Sequence, residues 1–437
     1  MPHIRFWGLF AALASAGLSR ADAQLPAVPP QRTTAFVNVT VIPMDRERAI
    51  EGQTVVVRDG RIATIGPAAS TAVPNDALRI DGQGKFLMPG LAEMHGHVPG
   101  QAGPVAHATM FLFAANGITT VRGMQGSPYH LSLREQIARG EVLGPRFYAA
   151  GPQMGQNIRT PEIGDSVARA QKAAGYDLLK IQEGMPRPAY DAVVAAARAV
   201  GIPFGGHIPD DVGLTHALEM RQGTIDHLDN FQDAITPATP VASLAAAAKR
   251  AGTAVVPTMP LWENLYIPAD SASYASRVEL RYMPRNTVAG WFRSIAGGGR
   301  VQGDSARRAW KATRTGILAA LNSAGVPILL GTDAPQIFSV PGFSIHREMQ
   351  AMIEAGMTPY QVMASGTRNI AVHFGTLAET GTVEAGKRAD LLLLEANPLQ
   401  SVANAQRRTG VMINGRWLPE SEIQRGLSAL AASYTAP

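Results

Sequence analysis

Residues Ala35 to Ile42 alternate apolar and polar side chains, and Thr54-Val-Val-Val-Arg58 is a β-branched run. Asp59-Gly60 then separates Val57 from the apolar-rich Arg61 to Ile65. Period-two patterning around an Asp-Gly pair predicts a hairpin, because these residues tolerate the positive φ angles of a two-residue turn. Short runs at 77–80 and 85–88 continue the strand pattern as far as Pro89-Gly90. The C-terminal part has the same texture: Asp390 to Glu395 and Gly410 to Trp417 read as strands, with an Asn-Gly turn at 414–415. Two β-rich ends around a different middle predict one small β-sandwich built from both termini.

The middle alternates short apolar runs with Ala-rich stretches of helical length. Eight strand candidates occur: 90–95, 118–122, 146–150, 177–182, 203–207, 224–227, 254–257 and 327–333. Tyr190 to Val200 and Val241 to Arg250 are examples of the helices between them. Eight such units over about 250 residues predict an α/β fold, a (β/α)8 TIM barrel. The stretch between the seventh and eighth strands is the longest and carries Trp262, Tyr266, Tyr282, Trp291 and Trp310, which places it as a cover over the barrel mouth. The expected domains are 24–88 and 376–437 for the two parts of the sandwich and 89–375 for the barrel.

Composition narrows the class. A 437-residue chain that is 46% hydrophobic and 17% charged suits a large folded core rather than a disordered chain. A net charge of +5 with no Lys/Arg-rich run argues against a nucleic-acid partner. His3 and Arg5 precede an apolar run from Phe6 to Leu18, and Ala21-Asp22-Ala23 follows. That order reads as a signal peptide over 1–23 and an exported, periplasmic or secreted product, with an uncleaved anchor as the alternative. The run falls short of the roughly 20 apolar residues that span a bilayer, so no stable membrane anchor is expected. The chain has no cysteine, which excludes disulfides, thiol nucleophiles and thiolate metal sites. A small-molecule substrate and a homo-oligomer are the expected partners.

Metal-ligand residue types fall at the ends of the strand candidates. His95 and His97 close the first; residues i and i+2 share a face, so both imidazoles can reach one ion. Asp333 closes the eighth, beside the first in a closed barrel, and can complete that set. His207 and His227 close the fifth and sixth and can share a second ion. Lys180 lies at the end of the fourth, where a charged amine is costly to bury. A desolvated Lys180 can react with CO2 to give an anionic carbamate able to bridge two cations; the plainer reading is a buried stem with its head in solvent. His346, just after the eighth strand, can contact substrate or orient a ligand, or simply sit on a helix face near Glu348. His107, His130, His216 and His373 read as structural.

Leu87 to His97, Gly331-Thr-Asp-Ala334 and Gly381 to Leu394 resemble the amidohydrolase superfamily, closest to its imidazolonepropionase-like and metal-dependent prolidase-like branch. The resemblance runs from about Val37 to Leu418. It implies a two-metal hydrolase of amide-type C–N bonds, with His95, His97 and Asp333 on an inner ion and His207 and His227 on an outer one. Carboxylated Lys180 and a hydroxide would bridge the ions. Zinc is the expected metal, since imidazole and carboxylate ligands suit it. Asp333 would also be the catalytic proton carrier. One departure stands out: His207-Ile-Pro-Asp-Asp211 lacks the Tyr that the prolidase branch places shortly after the corresponding His. The rival readings are a lactonase, esterase or phosphotriesterase on the same centre, and a binding protein with a relic site.

Overall fold

The structure, a computed structural model, describes residues 25–435, so the segment 1–23 read as an export signal lies outside the described residues. Strands β1 (Thr34–Val41), β2 (Ile50–Arg58), β3 (Arg61–Pro67), β4 (Leu78–Asp81) and β5 (Phe86–Pro89) come first. The middle holds β6 (Leu91–Gly96), β7 (Ile118–Gly123), β8 (Arg146–Ala149) and β9 (Leu179–Ile181). It continues with β10 (Phe204–Gly206), β11 (Thr224–Asp226) and β12 (Ala254–Val256). Strands β13 (Leu391–Leu394), β14 (Arg408–Ile413) and β15 (Arg416–Pro419) close the chain's β content.

Both expected hairpins form. Arg58 pairs with Arg61 across Asp59 (φ 50°) and Gly60 (φ 75°), and Ile413 pairs with Arg416 across Asn414 (φ 50°) and Gly415 (φ 73°). Two successive positive φ angles are what a tight hairpin between right-twisted strands requires. Where a small β-sandwich is expected from the pattern, the hydrogen bonds run through one continuous eight-stranded sheet. Its order is β15-β14-β13-β5-β1-β2-β3, with β4 also on β1. Antiparallel pairing of β5 with β13 joins the two ends of the chain. Strand β13 is apolar at every position because both its faces are covered: Leu391 and Leu393 pack with Phe36, Val55 and Met412, whereas Leu392 and Leu394 belong to the main core.

The middle strands form two parallel sheets, β6-β7-β8 and β12-β11-β10-β9. Backbone bonds from Asp177 N–H to Ala149 and from Gly151 N–H to Leu178, both 2.9 Å, join β8 to the approach to β9. The eighth strand candidate is not a regular strand, yet its backbone is used on both sides. Leu329 N–H donates to Val255 (2.9 Å), Met94 N–H to Leu330 (2.9 Å) and Asp333 N–H to His95 (2.7 Å). Asp333, with a φ of 62°, ends its β geometry, and Gly331 allows the close approach to Val256 and the His95 backbone that a side chain there would block.

Amphipathic helices cover these sheets. Arg187–Val200 buries Ala189, Tyr190, Val193, Val194 and Ala197 on one stripe and ends at left-handed Gly201. The long stretch after β12 folds into helices Met259–Tyr266, Arg285–Ile295 and Asp304–Ser323, with two short helical turns between the first two. It contacts the segment beyond Asp333 through Tyr274, stacked on Phe338 at 3.9 Å. A C-terminal helix, Glu420–Thr435, follows the strands read up to Trp417; its Gly426 leaves room for the Phe111 ring. Among the described residues no helix is long and apolar enough to cross a membrane.

Candidate metal centre

Every residue of β6 is buried, so the polar side chains on it must find partners within the protein. Glu93 does so by tying β6 to the segment that carries Asp333. Its Oε1 accepts from His95 N–H (2.9 Å) and Thr332 N–H (2.8 Å), and its Oε2 from the Thr332 hydroxyl (2.6 Å). Burial pushes its carboxyl up to about 8, against the Thr332 and His95 bonds that favour the anion.

Two residues further on, the His95 and His97 rings stack with centroids 5.4 Å apart, facing the same way as i and i+2 on a strand must. His95 Nδ1 lies 2.9 Å from Asp226 Oδ2. Asp226 in turn is gripped by Arg122, whose Nη2 is 3.0 Å from each carboxylate oxygen. Arg122 also donates to the Met94 carbonyl (2.6 Å) and the Thr224 hydroxyl (2.9 Å). Burial opposes the Asp226 anion, but Arg122 and His95 beside it hold the carboxyl well below the usual range. His95 Nδ1 lacks hydrogen-bond geometry toward Asp226 Oδ2 despite the close approach, but an anionic Asp226 beside it favours the ring proton on Nδ1 and so a lone pair on Nε2.

His227 is set up the same way by a different group. Its Nδ1 lies 2.6 Å from the Thr258 hydroxyl, which donates its one proton to the Pro257 carbonyl (2.8 Å). With that proton on the carbonyl, Nδ1 is the donor and Nε2 faces inward with a lone pair. His227 (φ 75°), Thr258 (φ 48°) and Asp333 (φ 62°) all hold left-handed backbone, a costly conformation for residues with a Cβ and one that clusters at functional sites.

The inward atoms converge. Asp333 Oδ1 lies 3.0 Å from His97 Nε2 and 3.7 Å from His95 Nε2, and its Oδ2 lies 3.5 Å from His227 Nε2. Ligand atoms of His95, His227 and Asp333 all fall within 4.8 Å of one another. The buried His97 Nε2 lacks hydrogen-bond geometry toward any acceptor despite the nearby carboxylate. Lone-pair donors crowded around one anion without hydrogen bonds between them are what a shared cation requires, so these residues fit a divalent metal. Burial opposes the Asp333 anion as well, yet the three imidazoles hold it well below the usual carboxylate range.

Lys180, 1% exposed, ends with Nζ 3.4 Å from His95 Nε2 and 4.0 Å from Asp226 Oδ2. Burial lowers its pKa to about 8, against Asp226 and Asp333, which favour the cation. Among the sequence candidates, the structure therefore gathers His95, His97, Lys180, His227 and Asp333. His207 borders the group: its ring is 4.7 Å from that of His227, but its Nδ1 faces Glu183 Oε1 at 3.4 Å. His346 is half-buried, with both ring nitrogens buried and without a hydrogen-bond partner among the described residues, and the charges beside it are Arg408 and Arg347 rather than Glu348. His130 is bonded to the Val98 carbonyl (3.0 Å) and His216 to Asp191 (2.6 Å), away from the cluster. Glu93, Arg122, Asp226 and Thr258, which contact the cluster or the backbone that carries it, are the residues that the sequence reading missed. Three of them were visible as charged residues inside apolar strand candidates.

Residues 86–418 match the profile of the amidohydrolase family. The chain is 27% identical to the imidazolonepropionase of Caulobacter vibrioides over 369 residues, 79% of this chain and 88% of that enzyme. It is 24% identical to an adenine deaminase of Ruegeria sp. over 410 residues, 89% of this chain but 57% of the deaminase, so little more than half of that relative is spanned. Among solved structures, a bottromycin amidohydrolase superposes with a TM-score of 0.75 at 23% identity, covering 92% of this chain and 91% of that one. A Xaa-Pro dipeptidase with methionine bound in its active site gives 0.68 at 19%, covering 89% and 100%. The two solved structures speak for the fold alone. The chain belongs to the amidohydrolase family and is a metal-dependent hydrolase by that membership.

Proposed function

We propose that this protein hydrolyses amide-type C–N bonds of small molecules (peptide, N-acyl amino acid or cyclic amide) at the centre formed by His95, His97, Lys180, His207, His227 and Asp333. The observation that carries the proposal is the convergence of His95 Nε2, His227 Nε2 and Asp333, with His227 Nδ1 bonded to Thr258 and His95 Nδ1 facing Asp226 at 2.9 Å. The parallel sheets and the 327–334 segment are read as one closed (β/α)8 barrel with this centre at its C-terminal mouth. The terminal sheet, 24–88 and 376–437, is read as a separate small domain.

When bound, a pair of divalent ions, zinc in the first instance, supplies a water of lowered pKa and a Lewis acid for the scissile carbonyl. The chain's own groups do the rest. His95, His97 and Asp333 would hold one ion, and His207 and His227 the other. Lys180 fits a carbamate: its partly neutral amine can form an N–C bond to CO2 and release a proton, giving an anion where a cation would repel metals. Asp333 Oδ1 also accepts from Gln336 Nε2 (2.5 Å), which fixes the carboxylate as it takes the proton of the attacking water and passes it to the leaving nitrogen. Trp262, whose ring is 5.3 Å from that of His227, walls one side and favours a substrate with a flat apolar group. Export through the 1–23 signal and assembly as a homo-oligomer complete the reading.

Hydrolysis of a panel of N-acyl amino acids, dipeptides, cyclic amides, lactones and aryl phosphotriesters tests it. Turnover confined to the amides is the expected result. Turnover of lactones or phosphotriesters with every amide inert would overturn the C–N assignment and leave the same centre serving an esterase.

A further inference from the structure

A cavity of about 270 Å³ lies between the terminal sheet and the helix Pro128–Arg139. It opens beside Arg146, the first residue of β8, whereas the candidate metal ligands stand at the opposite, C-terminal strand ends. Four arginines line it, Arg134, Arg146, Arg388 and Arg416, against two carboxylates, Asp177 and Asp390. The lining therefore carries two uncompensated positive charges (four less two).

The pairing inside the cavity is uneven. Arg134 is matched by Asp177 at 2.8 Å. Arg146 and Arg388 share one oxygen of Asp390, at 3.1 and 3.5 Å, and the buried Arg146 Nε has no hydrogen-bond partner. Arg416 donates to the Pro29 carbonyl at 2.8 Å and, among the described residues, meets no carboxylate. Phe147, Leu143 and Ile413 supply an apolar wall beside these guanidinium groups. Guanidinium forks match the geometry of carboxylate and phosphate oxygens, and a buried unpartnered N–H costs free energy until an acceptor arrives.

We propose that this cavity is a second binding site, for a small organic dianion with a phosphate or dicarboxylate head on a compact apolar body. The head sits among Arg146, Arg388 and Arg416, and the body lies against Phe147. Because Arg388 and Arg416 come from the terminal sheet and Arg146 from the parallel sheet, the ligand bridges the two and stabilises their junction.

Calorimetric titration of the zinc-loaded full chain with phenyl phosphate, with phenylmalonate and with uncharged benzyl alcohol tests the site. Either dianion should bind, the tighter one identifying the preferred head, and the alcohol should not. Arg416→Leu breaks no ion pair and should weaken binding by about tenfold, the worth of roughly one charge-assisted bond. Ala138→Trp, placed on the exposed face of the lining helix, should abolish binding by filling the space. Metal content should stay at the wild-type level in both variants. Absence of binding by either dianion overturns the proposal, and so does equal affinity in all three proteins, which would place the ligand at the metal centre or show it to be adventitious.

Discussion

Replacing Arg122 by methionine would leave Asp226 as a buried carboxylate with Lys180, 4.0 Å away, as its remaining cationic neighbour beside neutral His95. Arg122 is 1% exposed and makes bonds to Met94 and Thr224 besides its two contacts with Asp226. Methionine fills much of the volume, so the loss is electrostatic rather than a cavity. Removing one partner of a buried ion pair costs about 3–5 kcal/mol, because the other charge stays desolvated. Urea unfolding of the zinc-loaded variant should show that loss as a lower midpoint with an unchanged slope. His95 would also lose the fixed carboxylate that keeps its proton on Nδ1, and metal affinity should fall by about 10–100-fold. The double variant Arg122→Met/Asp226→Asn should recover part of the stability but not of the metal affinity. A single-variant loss below about 1 kcal/mol, with unchanged metal affinity, would refute the idea that this pair positions His95.

Thr258→Val keeps the shape but removes the acceptor of His227 Nδ1, and metal affinity measured by competition with a chelator should fall by about tenfold. Lys180→Ala should lose most hydrolysis and metal together, with partial rescue by added formate; Lys180→Arg should not restore either, since guanidinium cannot take up CO2. Burial lowers the His95 pKa from 6.5 to about 4, so between those values the unfolded chain binds the extra proton. In metal-free protein this contribution is complete above about pH 6.5 and declines by about 3 kcal/mol as pH falls toward 4. His95→Asn should flatten that part of the stability–pH curve, and an unchanged slope would count against the burial reading.

Local signals were legible where the chemistry is local. Asp59-Gly60 and Asn414-Gly415 announce hairpins because their backbone preference does not depend on distant partners. His95-x-His97 shows its shared face through strand periodicity alone, and Asp333 stands out as a lone acid after an apolar run. The missed residues act across the fold. Glu93 joins Thr332, 239 positions away, and Arg122 joins Asp226 at 104, distances over which one sequence carries no pairing information. The single terminal sheet follows from β5 meeting β13, again a long-range pairing.

The most direct test of the central claim is metal content measured alongside amide hydrolysis, in protein as purified, after chelation, and after zinc and bicarbonate are restored. The expected result is about two ions per chain, with hydrolysis lost as they are removed and regained as they return. Folded, metal-free protein that hydrolyses its substrate at the full rate would contradict a centre built on His95, His227 and Asp333.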